Sequence, residues 1–495
     1  MKIRFIEPGN RPYKKSPLNL FVYERTIRTP SNGMITLATI LNRTYEDVYC
    51  YSESISKIAW DDVLDADVVC IGMFTFAAER GYALADYIRA NSDATVVMGG
   101  LHPTLNPSEA IGHADFVLLG EGDETITPLL KAIEAGSGIE RVSGVVYRGA
   151  DGIVSTGDPV PPHDIDSVPN RHLLHRFKQM AGHNTLWPQV HASRGCPHRC
   201  DYCSLVAAFG RGVRTRSPEA VLQDIREAIE FFDDGHRRLA KMLWITDDNF
   251  FADRAWATTV LQAIIDSDID YEFTIQARYE VGFDDEMLDL LKRAGFSELA
   301  MGIEFLDDES FQVYHKASTR DDVIRSIENI QRHGLRVRGL FIMGADNHAK
   351  GVGDQLADFV IEHGIEGVLI QSMYFIPGTP VYETHRNRLV DEGRWGRCVG
   401  AVVHEPALMS AEELQREIIR ASKRIYSPRR LVHAIVTKRG LARLLFVGEF
   451  FWQASVRSDL RKELPYLAKC DARFNERSEA KQKTTVCSMA PTPAR

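Results

Sequence analysis

Three cysteines stand close together in the sequence, at Cys196, Cys200 and Cys203. They directly follow a predicted strand, so they form one loop. Thiolates are the ligands of iron–sulfur clusters, and a cluster of four irons normally takes four of them. Three thiolates leave one iron with an open coordination position. The spacing therefore predicts a [4Fe-4S] cluster with one open iron.

Two other interpretations of these cysteines are weaker. A structural zinc site needs a fourth Cys or His in register, and the nearby His198 lies inside the loop, where it points awkwardly for a tetrahedral site. A disulfide would leave an odd thiol, and the other five cysteines are isolated in the sequence, which is typical of a reducing compartment. We therefore prefer the cluster to zinc or to a purely structural role.

The composition limits the class of protein. The 495 residues are 44% hydrophobic and 26% charged, which is ordinary for a globular enzyme of several domains. A net charge of −9 argues against nucleic-acid binding, which usually needs a basic excess. Neither an export signal nor a long apolar run is visible, so we expect a cytoplasmic protein without a transmembrane helix.

Residues 1–149 alternate β-rich and helical segments, the pattern of a parallel, doubly wound sheet. Gly99 and Gly100 follow its third predicted strand, and a Gly-Glu-Gly turn containing Glu121 follows the fourth. Open parallel sheets bind ligands at the carboxyl ends of their strands, where glycine lets the backbone approach closely. We expect a ligand at these residues, and the alternative is that the glycines only make tight turns.

A proline-rich linker, residues 150–186, precedes a second αβ series. Residues 187–404 contain six predicted βα units, which is what a partial parallel barrel needs, with its chemistry at the carboxyl ends of the strands. Residues 405–474 are predicted to be helical and 475–495 to be a disordered tail. The expected fold class is therefore α/β: a Rossmann-like domain, a partial (β/α)6 barrel and a helical C-terminal region.

Together these features resemble the radical S-adenosylmethionine (SAM) superfamily, and within it the class that carries a cobalamin-binding domain. The three cysteines, with the aromatic Tyr202 before the last, match the CxxxCxxC loop of the superfamily. The likeness covers roughly residues 1–425. Further matching segments are 99–104, 194–197, 209–211, 214–218, 246–250, 302–304 and 377–380.

The resemblance implies how SAM is held. The open iron would bind the amino and carboxylate groups of SAM, and an electron from the cluster would cleave it to a 5′-deoxyadenosyl radical. Tyr202 would lie by the adenine through its backbone, and Glu304 would reach the ribose or methionine end. Gln276 and Arg278 end the third barrel strand, where Arg278 is suited to pair with the SAM carboxylate. An external electron donor such as flavodoxin or ferredoxin is implied.

Two consecutive carboxylates, Asp247 and Asp248, end the second barrel strand. We expect both to be catalytic, one contacting SAM and the other the substrate. The alternative for these carboxylates, as for Glu304, is a capping or salt-bridging role.

Many cobalamin-binding domains carry an Asp-x-His-x-x-Gly loop after the first strand, in which the histidine replaces the lower axial ligand of cobalt. Residues 7–12 of this chain read Glu-Pro-Gly-Asn-Arg-Pro and hold no histidine. Radical SAM relatives tolerate this loss, so cobalamin is still expected, and an empty structural domain is the alternative. His102 follows two glycines and is predicted to be a turn or surface histidine.

The function implied is a cobalamin-dependent radical SAM enzyme that methylates an unactivated carbon of a biosynthetic substrate. Radical cyclisation, rearrangement or carbon–carbon coupling ranks second, and transfer of another SAM-derived group ranks third. From a different class, a non-catalytic iron–sulfur scaffold or redox sensor stays open. Reductive cleavage of SAM separates the enzymes from the scaffold.

Residues 421–462 are strongly basic, with ten Lys or Arg against two acids. Bulky apolar and aromatic side chains lie between the basic ones at mainly helical spacing. A basic helix with an aromatic face suits a membrane interface, which predicts peripheral membrane contact and a lipid-like substrate. The alternative is that this face packs against the barrel.

Overall fold

The structure is a computed structural model that describes residues 1–9, 29–180, 183, 186–233, 241–391, 393–397, 400–438 and 440–488, with side chains left out at 397, 441 and 472–488. Residues 10–12 of the first loop and 489–495 of the predicted tail lie outside these ranges.

The first domain is built on a seven-stranded sheet. In chain order its elements are β1 (Lys2–Glu7), α1 (Asn32–Asn42), β2 (Asp47–Ser52), α2 (Trp60–Leu64), β3 (Val68–Gly72), α3 (Ala78–Asn91), β4 (Thr95–Gly99), α4 (Leu101–Leu105), α5 (Pro107–Ala110), β5 (Phe116–Leu118), α6 (Ile126–Ala135), β6 (Val145–Gly149) and β7 (Gly152–Ser155). The strand order is β2-β1-β3-β4-β5-β6-β7, in which β1 to β5 are parallel and β6 and β7 form an antiparallel hairpin.

Three of these strands were not expected from the sequence: β2 at one edge of the sheet, and β6 and β7, which form the antiparallel hairpin at the other edge. The central strands β1, β3 and β4 read as nearly continuous buried apolar runs, because helices cover both faces of a parallel sheet. β7 buries none of its four residues and β6 buries two of five, while β2 buries four of six but its sequence, Asp-Val-Tyr-Cys-Tyr-Ser, is not a continuous apolar run. β7 also lies beyond the predicted domain boundary at residue 149, inside the segment expected to be a linker.

The second domain confirms the predicted partial barrel. In chain order its elements are β8 (Gln189–Val190), β9 (Ser193–Arg194), α7 (Ser204–Phe209), β10 (Arg214–Thr215), α8 (Pro218–Asp233), β11 (Met242–Ile245), α9 (Arg254–Ile265), β12 (Glu272–Ala277), α10 (Asp285–Arg293), β13 (Phe296–Glu304), α11 (Asp308–Val313), α12 (Arg320–Arg332), β14 (Arg336–Met343), α13 (Val352–Glu362), β15 (Gly367–Ser372) and α14 (Pro380–His385). Six parallel strands follow the order β15-β14-β13-β12-β11-β8, and β9 pairs with β10 as a separate antiparallel ribbon.

The C-terminal region is helical, as expected, and consists of α15 (Ala411–Ile425), α16 (Pro428–Thr437) and α17 (Gly440–Ser488). α17 continues past residue 474, where a disordered tail was predicted. Residues 476–483 include two Glu, two Lys, an Arg, an Ala and a Gln, which are good helix formers although most of them are polar. Within the described ranges, no helix has the length and apolar character needed to cross a membrane.

Each outer strand of the barrel bonds to side chains from other parts of the chain. On β15, the Val368 amide donates to the Tyr426 hydroxyl (3.0 Å), and Gln453 Nε2 of α17 donates to the Val368 carbonyl (3.3 Å). On β8, Asn32 Nδ2 and Arg171 Nη2 each donate to the Gln189 carbonyl (3.1 Å). These contacts satisfy backbone groups that an open barrel leaves unpaired, and so protect strands that would otherwise pair with another chain.

Candidate active site at the cysteine loop

The three cysteines lie on one loop between β9 and α7, and all three are partly exposed free thiols. The loop is tied to the barrel through the Asp201 amide, which donates to the Tyr314 carbonyl (3.2 Å). Cys203 is the residue immediately before α7, and the amides of Leu205 and Val206 in the first turn of that helix favour its thiolate form. A helix N-terminus favours a negatively charged sulfur, so this geometry suits a thiolate ligand.

The donors fit an iron–sulfur cluster. Burial raises the pKa of the Cys196 and Cys203 thiols, and nearby backbone amides partly offset the rise. A bound metal removes the thiol proton outright, so it would supply the charge that burial disfavours. In the part of the chain described, no three His, Cys, Asp or Glu side chains converge as they would around a single ion. A cubane does not require this, because its thiolates bind different irons.

Asn249 is a neighbour of the cluster loop that sequence reasoning did not single out. Its Nδ2 lies 3.9 Å from Cys196 Sγ and donates to it. Asn249 lies in the matched segment 246–250, which was a signal, but nothing in the sequence indicated which side chain of that segment turns toward the cysteines.

The residue before the first cysteine is held tightly. Gly195 has a φ of +92°, and a Cβ there would lie 2.0 Å from the Gly212 carbonyl, so only glycine fits. Its amide donates to Asp248 Oδ2 (2.9 Å). Burial raises the pKa of Asp248, which lines the cavity described below.

The side chain of Asp247 points away from the cavity and into the protein. It is 0% exposed, and its two oxygens accept bonds from the Ala192 amide (2.7 Å) and the Ser193 hydroxyl (2.6 Å). Burial raises its pKa to about 7. Asp247 therefore braces the strand that leads to the cysteine loop, which corrects the expectation that it contacts SAM or substrate.

Glu304 ends β13 in a strained conformation next to the cysteine loop. Its φ of +69° is uncommon for a residue with a side chain, and such strain concentrates at functional sites. Its Oε1 lies 3.4 Å from Lys316 Nζ, and Lys316 also donates to the Gly302 carbonyl. Tyr202 stands close by, with its ring edge-on to Phe305 at 5.8 Å. Burial, with the Glu304 charge, holds the Tyr202 pKa well above its usual range.

Two cations lie near the cysteine loop. Burial disfavours the charge on Arg278, but its bonds to Glu280 outweigh that effect and raise its pKa, and its charge acts on Cys196 and Cys200. Lys316, which is 4% exposed, is the second cation. Sequence reasoning missed it, because it lies in a connection after α11 that carries no pattern. Gln276 sits at the end of the neighbouring β12, half-buried.

A cavity of about 530 Å³ separates the sheet of the first domain from the cysteine loop. Gly72, Gly99, Gly100 and Glu121 line it from the first domain, and Asp248 lines it from the barrel. Gly100 has a φ of +94°, and a Cβ there would lie 2.9 Å from the Met73 backbone. A Cβ on Gly72 would meet nothing within 4 Å. The structure thus brings the predicted glycines and Glu121 to one cavity.

The remaining wall of the cavity suits a large ligand with an apolar ring. Phe74 and Phe76 line it, stacked with centroids 5.4 Å apart, and Phe74 is 49% exposed. Glycines beside this aromatic pair leave a flat surface, which a corrin would cover.

His102 does not line the cavity. It is fully buried, and its ring nitrogens bond to the Tyr82 hydroxyl (3.0 Å) and the Thr75 hydroxyl (3.4 Å). Burial lowers its pKa to about 4. The expectation of a turn or surface histidine is therefore wrong.

Comparison with known proteins gives relatives along most of the chain. It is 25% identical over 399 residues to the bacteriochlorophyllide d C-8(2)-methyltransferase of Chlorobaculum tepidum, a match that covers 77% of this chain and 84% of that protein. It is 23% identical over 460 residues to the hopanoid C-2 methylase of Rhodopseudomonas palustris, covering 87% of this chain and 81% of that one.

Two solved structures share the fold. The methyltransferase TsrM from Kitasatospora setae, with cobalamin and a [4Fe-4S] cluster bound, superposes with a TM-score of 0.66 at 15% identity over 93% of this chain and 100% of that one. The cobalamin-dependent enzyme OxsB, with aqua-cobalamin bound, gives 0.66 at 13% identity over 97% and 81%. Residues 190–351 match the family model of the radical SAM superfamily. Residues 190–351 of this chain therefore form a radical SAM domain.

Proposed function

We propose that this protein is a cobalamin-dependent radical SAM enzyme that methylates an unactivated carbon of a biosynthetic substrate. The observation that carries the proposal is the shared wall between the cavity and the cysteine loop. Ser193, Arg194 and Gly195 line the cavity and lead directly into Cys196. A corrin in the cavity and a cluster on the loop would be neighbours. The methyltransferase names of both relatives and the cobalamin bound in both solved structures support this function.

The side chains at the cysteine loop and the cavity would have different roles in this reaction. Cys196, Cys200 and Cys203 would hold the cluster, while Arg278 and Lys316 would neutralise the carboxylate of SAM. When bound, the cluster, SAM and cobalamin supply reductive cleavage of SAM and the methyl group. Glu304, held by Lys316, is placed to orient the ribose or methionine end, with Tyr202 and Gln276 beside it. The aromatic wall at Phe74 excludes water from the reacting region.

The experiment is anaerobic reconstitution of the protein with iron, sulfide and hydroxocobalamin, followed by reduction in the presence of SAM that carries a labelled methyl group. We expect 5′-deoxyadenosine to form, and the label to appear in a product when extracts of the source cells are added. A scaffold or redox sensor would release no 5′-deoxyadenosine. Cleavage with an unlabelled product would favour cyclisation or rearrangement over methylation.

We also infer that an acidic one-electron donor, of the flavodoxin or ferredoxin class, reaches the cluster from the side of Arg199 and Arg211. Arg199 lies between two cluster cysteines, and Arg211 precedes Gly212, whose carbonyl packs on Gly195; both arginines are exposed. Exposed positive charge accelerates docking of an acidic partner. The described cysteines are all free thiols, which supports a reducing, cytoplasmic setting.

Reversal of both charges, Arg199→Glu with Arg211→Glu, tests the docking side. We expect reduction of the cluster by flavodoxin at low salt to slow by about tenfold or more, because the steering charge is inverted. Reduction by a small chemical reductant should keep its wild-type rate. Equal slowing with both reductants would mean that the cluster itself has changed, and an unchanged rate with flavodoxin would place its docking site elsewhere.

We further infer that α16 and the start of α17 contact an anionic membrane, where the enzyme meets a lipid-like substrate. One face of this region packs on the barrel: Phe446 is buried, and Gln453 Nε2 donates to the Val368 carbonyl of β15. The opposite face is apolar and open, with Val432 62% and Val436 75% exposed. One face of the region therefore packs against the barrel, which was the alternative to membrane contact. The other face stays exposed.

Basic residues flank the open face. Arg429 and Arg443 are exposed at its two ends, while Lys438 is paired with Glu366, and Arg439 lies outside the described residues. Exposed apolar side chains between free cations are the combination that binds anionic bilayer surfaces. The name of the hopanoid relative is consistent with an apolar substrate.

Vesicle flotation tests the membrane contact. Wild-type protein should float with anionic vesicles at low salt, and Arg429→Glu with Arg443→Glu should weaken binding by about thirtyfold, since each lost basic residue removes about 1 kcal/mol. The matched control is Lys423→Glu with Arg461→Glu, which reverses two exposed charges away from Val432 and Val436 and should still float. Deleting the helices is unsuitable, because Gln453 and Arg457 bond to the rest of the fold. Wild-type protein that stays in the aqueous fraction at low salt contradicts the contact and favours a polar substrate.

A further inference from the structure

A compact group of charges joins the two domains at the wall of the cavity. Arg194 of β9 makes a bidentate pair with Asp123 of the first domain, Nη1 to Oδ2 at 2.9 Å and Nη2 to Oδ1 at 3.0 Å. The same Nη1 also donates to Glu121 Oε2 at 2.7 Å. Asp123 and Glu121 are well shielded, with side chains 8% and 10% exposed. We call these residues, together with Arg214, the interdomain clamp.

Arg214 completes the clamp from the other strand of the ribbon. It lies directly opposite Arg194 in the β9–β10 pairing, and its Nη2 bonds to the second oxygen of Glu121. Two like charges facing each other across a strand pair are destabilising. Each oxygen of Glu121 accepts from one of the two arginines, so this carboxylate neutralises the repulsion within the ribbon.

The clamp acts on the cysteine loop through a short, stiff connection. Arg194 is two residues before Cys196, and the intervening Gly195 is fixed by its bond to Asp248 and by close packing on Gly212. A displacement of Arg194 would therefore move the first cluster cysteine. Glu121, Asp123, Arg194 and Asp248 all line the cavity as well.

The free energy needed to remove these charges from water indicates that the clamp has a function. Removing carboxylates from water is unfavourable unless the geometry is bidentate and every oxygen is bonded, as it is here. An apolar contact would join the domains equally well, but it would not fix direction. A fork-shaped pair sets both distance and orientation.

We infer that Asp123 and Glu121 are positioning residues that hold the cysteine loop in register with the ligand of the interdomain cavity. The inference rests on the proposed function for the identity of that ligand. On this view Glu121 serves the cofactor indirectly, through Arg194 and Arg214, and not as a direct corrin contact. The sequence did not single out Asp123. Of the two carboxylates that bind Arg194, Asp123 makes the stronger contact, because both of its oxygens bond to the guanidinium.

The test measures geometry and not turnover. In protein loaded with both cofactors and reduced, the unpaired spins of cob(II)alamin and of the reduced cluster broaden each other, and pulsed electron paramagnetic resonance reads their separation. We expect one narrow distribution in the wild type and a broadened or shifted one in Asp123→Ala and in the milder Asp123→Asn, with iron and corrin contents retained. Asp123→Glu, which keeps the charge, should recover part of the narrow distribution. Asp62→Asn breaks the Arg4 ion pair elsewhere in the first domain and should leave the distribution unchanged.

A second measurement keeps the clamp testable without corrin. In corrin-free protein, hydrogen exchange of peptides covering 194–203 should become about tenfold faster in Asp123→Ala, since an unclamped loop opens locally more often. A wild-type chain that binds no corrin would overturn the proposed function, but the hydrogen-exchange measurement would still test the clamp. An unchanged spin distribution or unchanged exchange in both Asp123 variants would overturn the clamp.

Discussion

Replacing any one of Cys196, Cys200 and Cys203 by alanine is expected to abolish both the iron–sulfur cluster and the cleavage of SAM. Each thiolate holds its own iron, and two thiolates do not retain a cubane whose loop is partly exposed to solvent. The fold should persist, because the three thiols lie on a loop and not in either apolar core. The measurements are iron content and 5′-deoxyadenosine formed after reduction with SAM.

The matched control for this series is Cys50→Ala. Cys50 is 1% exposed in β2, and burial raises its pKa far above the usual value, so it is an inert core thiol. Its replacement should cost about 1–2 kcal/mol of unfolding free energy through a small cavity, yet leave iron content unchanged. Full iron and SAM cleavage in any single cluster variant would remove the basis for the assignment.

Enlarging Gly72 is expected to exclude the corrin in proportion to the size of the new side chain. Gly72 ends β3 at the cavity wall, and a Cβ there meets nothing within 4 Å, so a side chain would enter the cavity without disturbing the sheet. Gly72→Ala should retain corrin. Gly72→Trp should lower affinity by about a hundredfold or more, because a bulky ring would occupy the ligand's place.

Bound corrin is measured by visible absorbance after incubation with hydroxocobalamin and desalting, and iron content and thermal unfolding show that the rest of the protein is intact. Gly100 is unsuitable for the same series, since its φ of +94° and the nearby Met73 backbone make any substitution a test of folding. If Gly72→Trp holds as much corrin as the wild type, the cavity is not the corrin site.

The parts of this molecule that the sequence predicts are those with a strong local pattern. The cysteine loop depends on spacing alone, and the central strands β1, β3 and β4 of the first sheet are nearly continuous apolar runs. β2, β6 and β7 lacked such a run: β2 and β7 each have an outer side without a partner strand, and β6 belongs to the antiparallel hairpin at one edge of its sheet. The limit is therefore set by position in the sheet, which no short window of sequence contains.

The site residues show a second limit. Asp247 and Asp248 are adjacent and chemically identical, but one turns into the protein and the other into the cavity, so their roles depend on backbone direction. Asp123 reaches Arg194 only after segments remote in sequence have packed, and Lys316 reaches Glu304 only because the intervening connection folds back on the end of β13. Sequence spacing carries no signal for such pairs.

The bonds at the two outer strands of the barrel form at different times during synthesis of the chain. The partners of β8, Asn32 and Arg171, leave the ribosome before β8 does, so that edge is covered as soon as it forms. The partners of β15, Tyr426 and Gln453, are translated after it. Until α17 has emerged, the nascent barrel carries an open strand edge at Val368, the kind of edge that pairs with other chains. A stop codon within residues 426–453 should therefore yield an aggregating chain, although every residue of the cysteine loop and of the cavity is present.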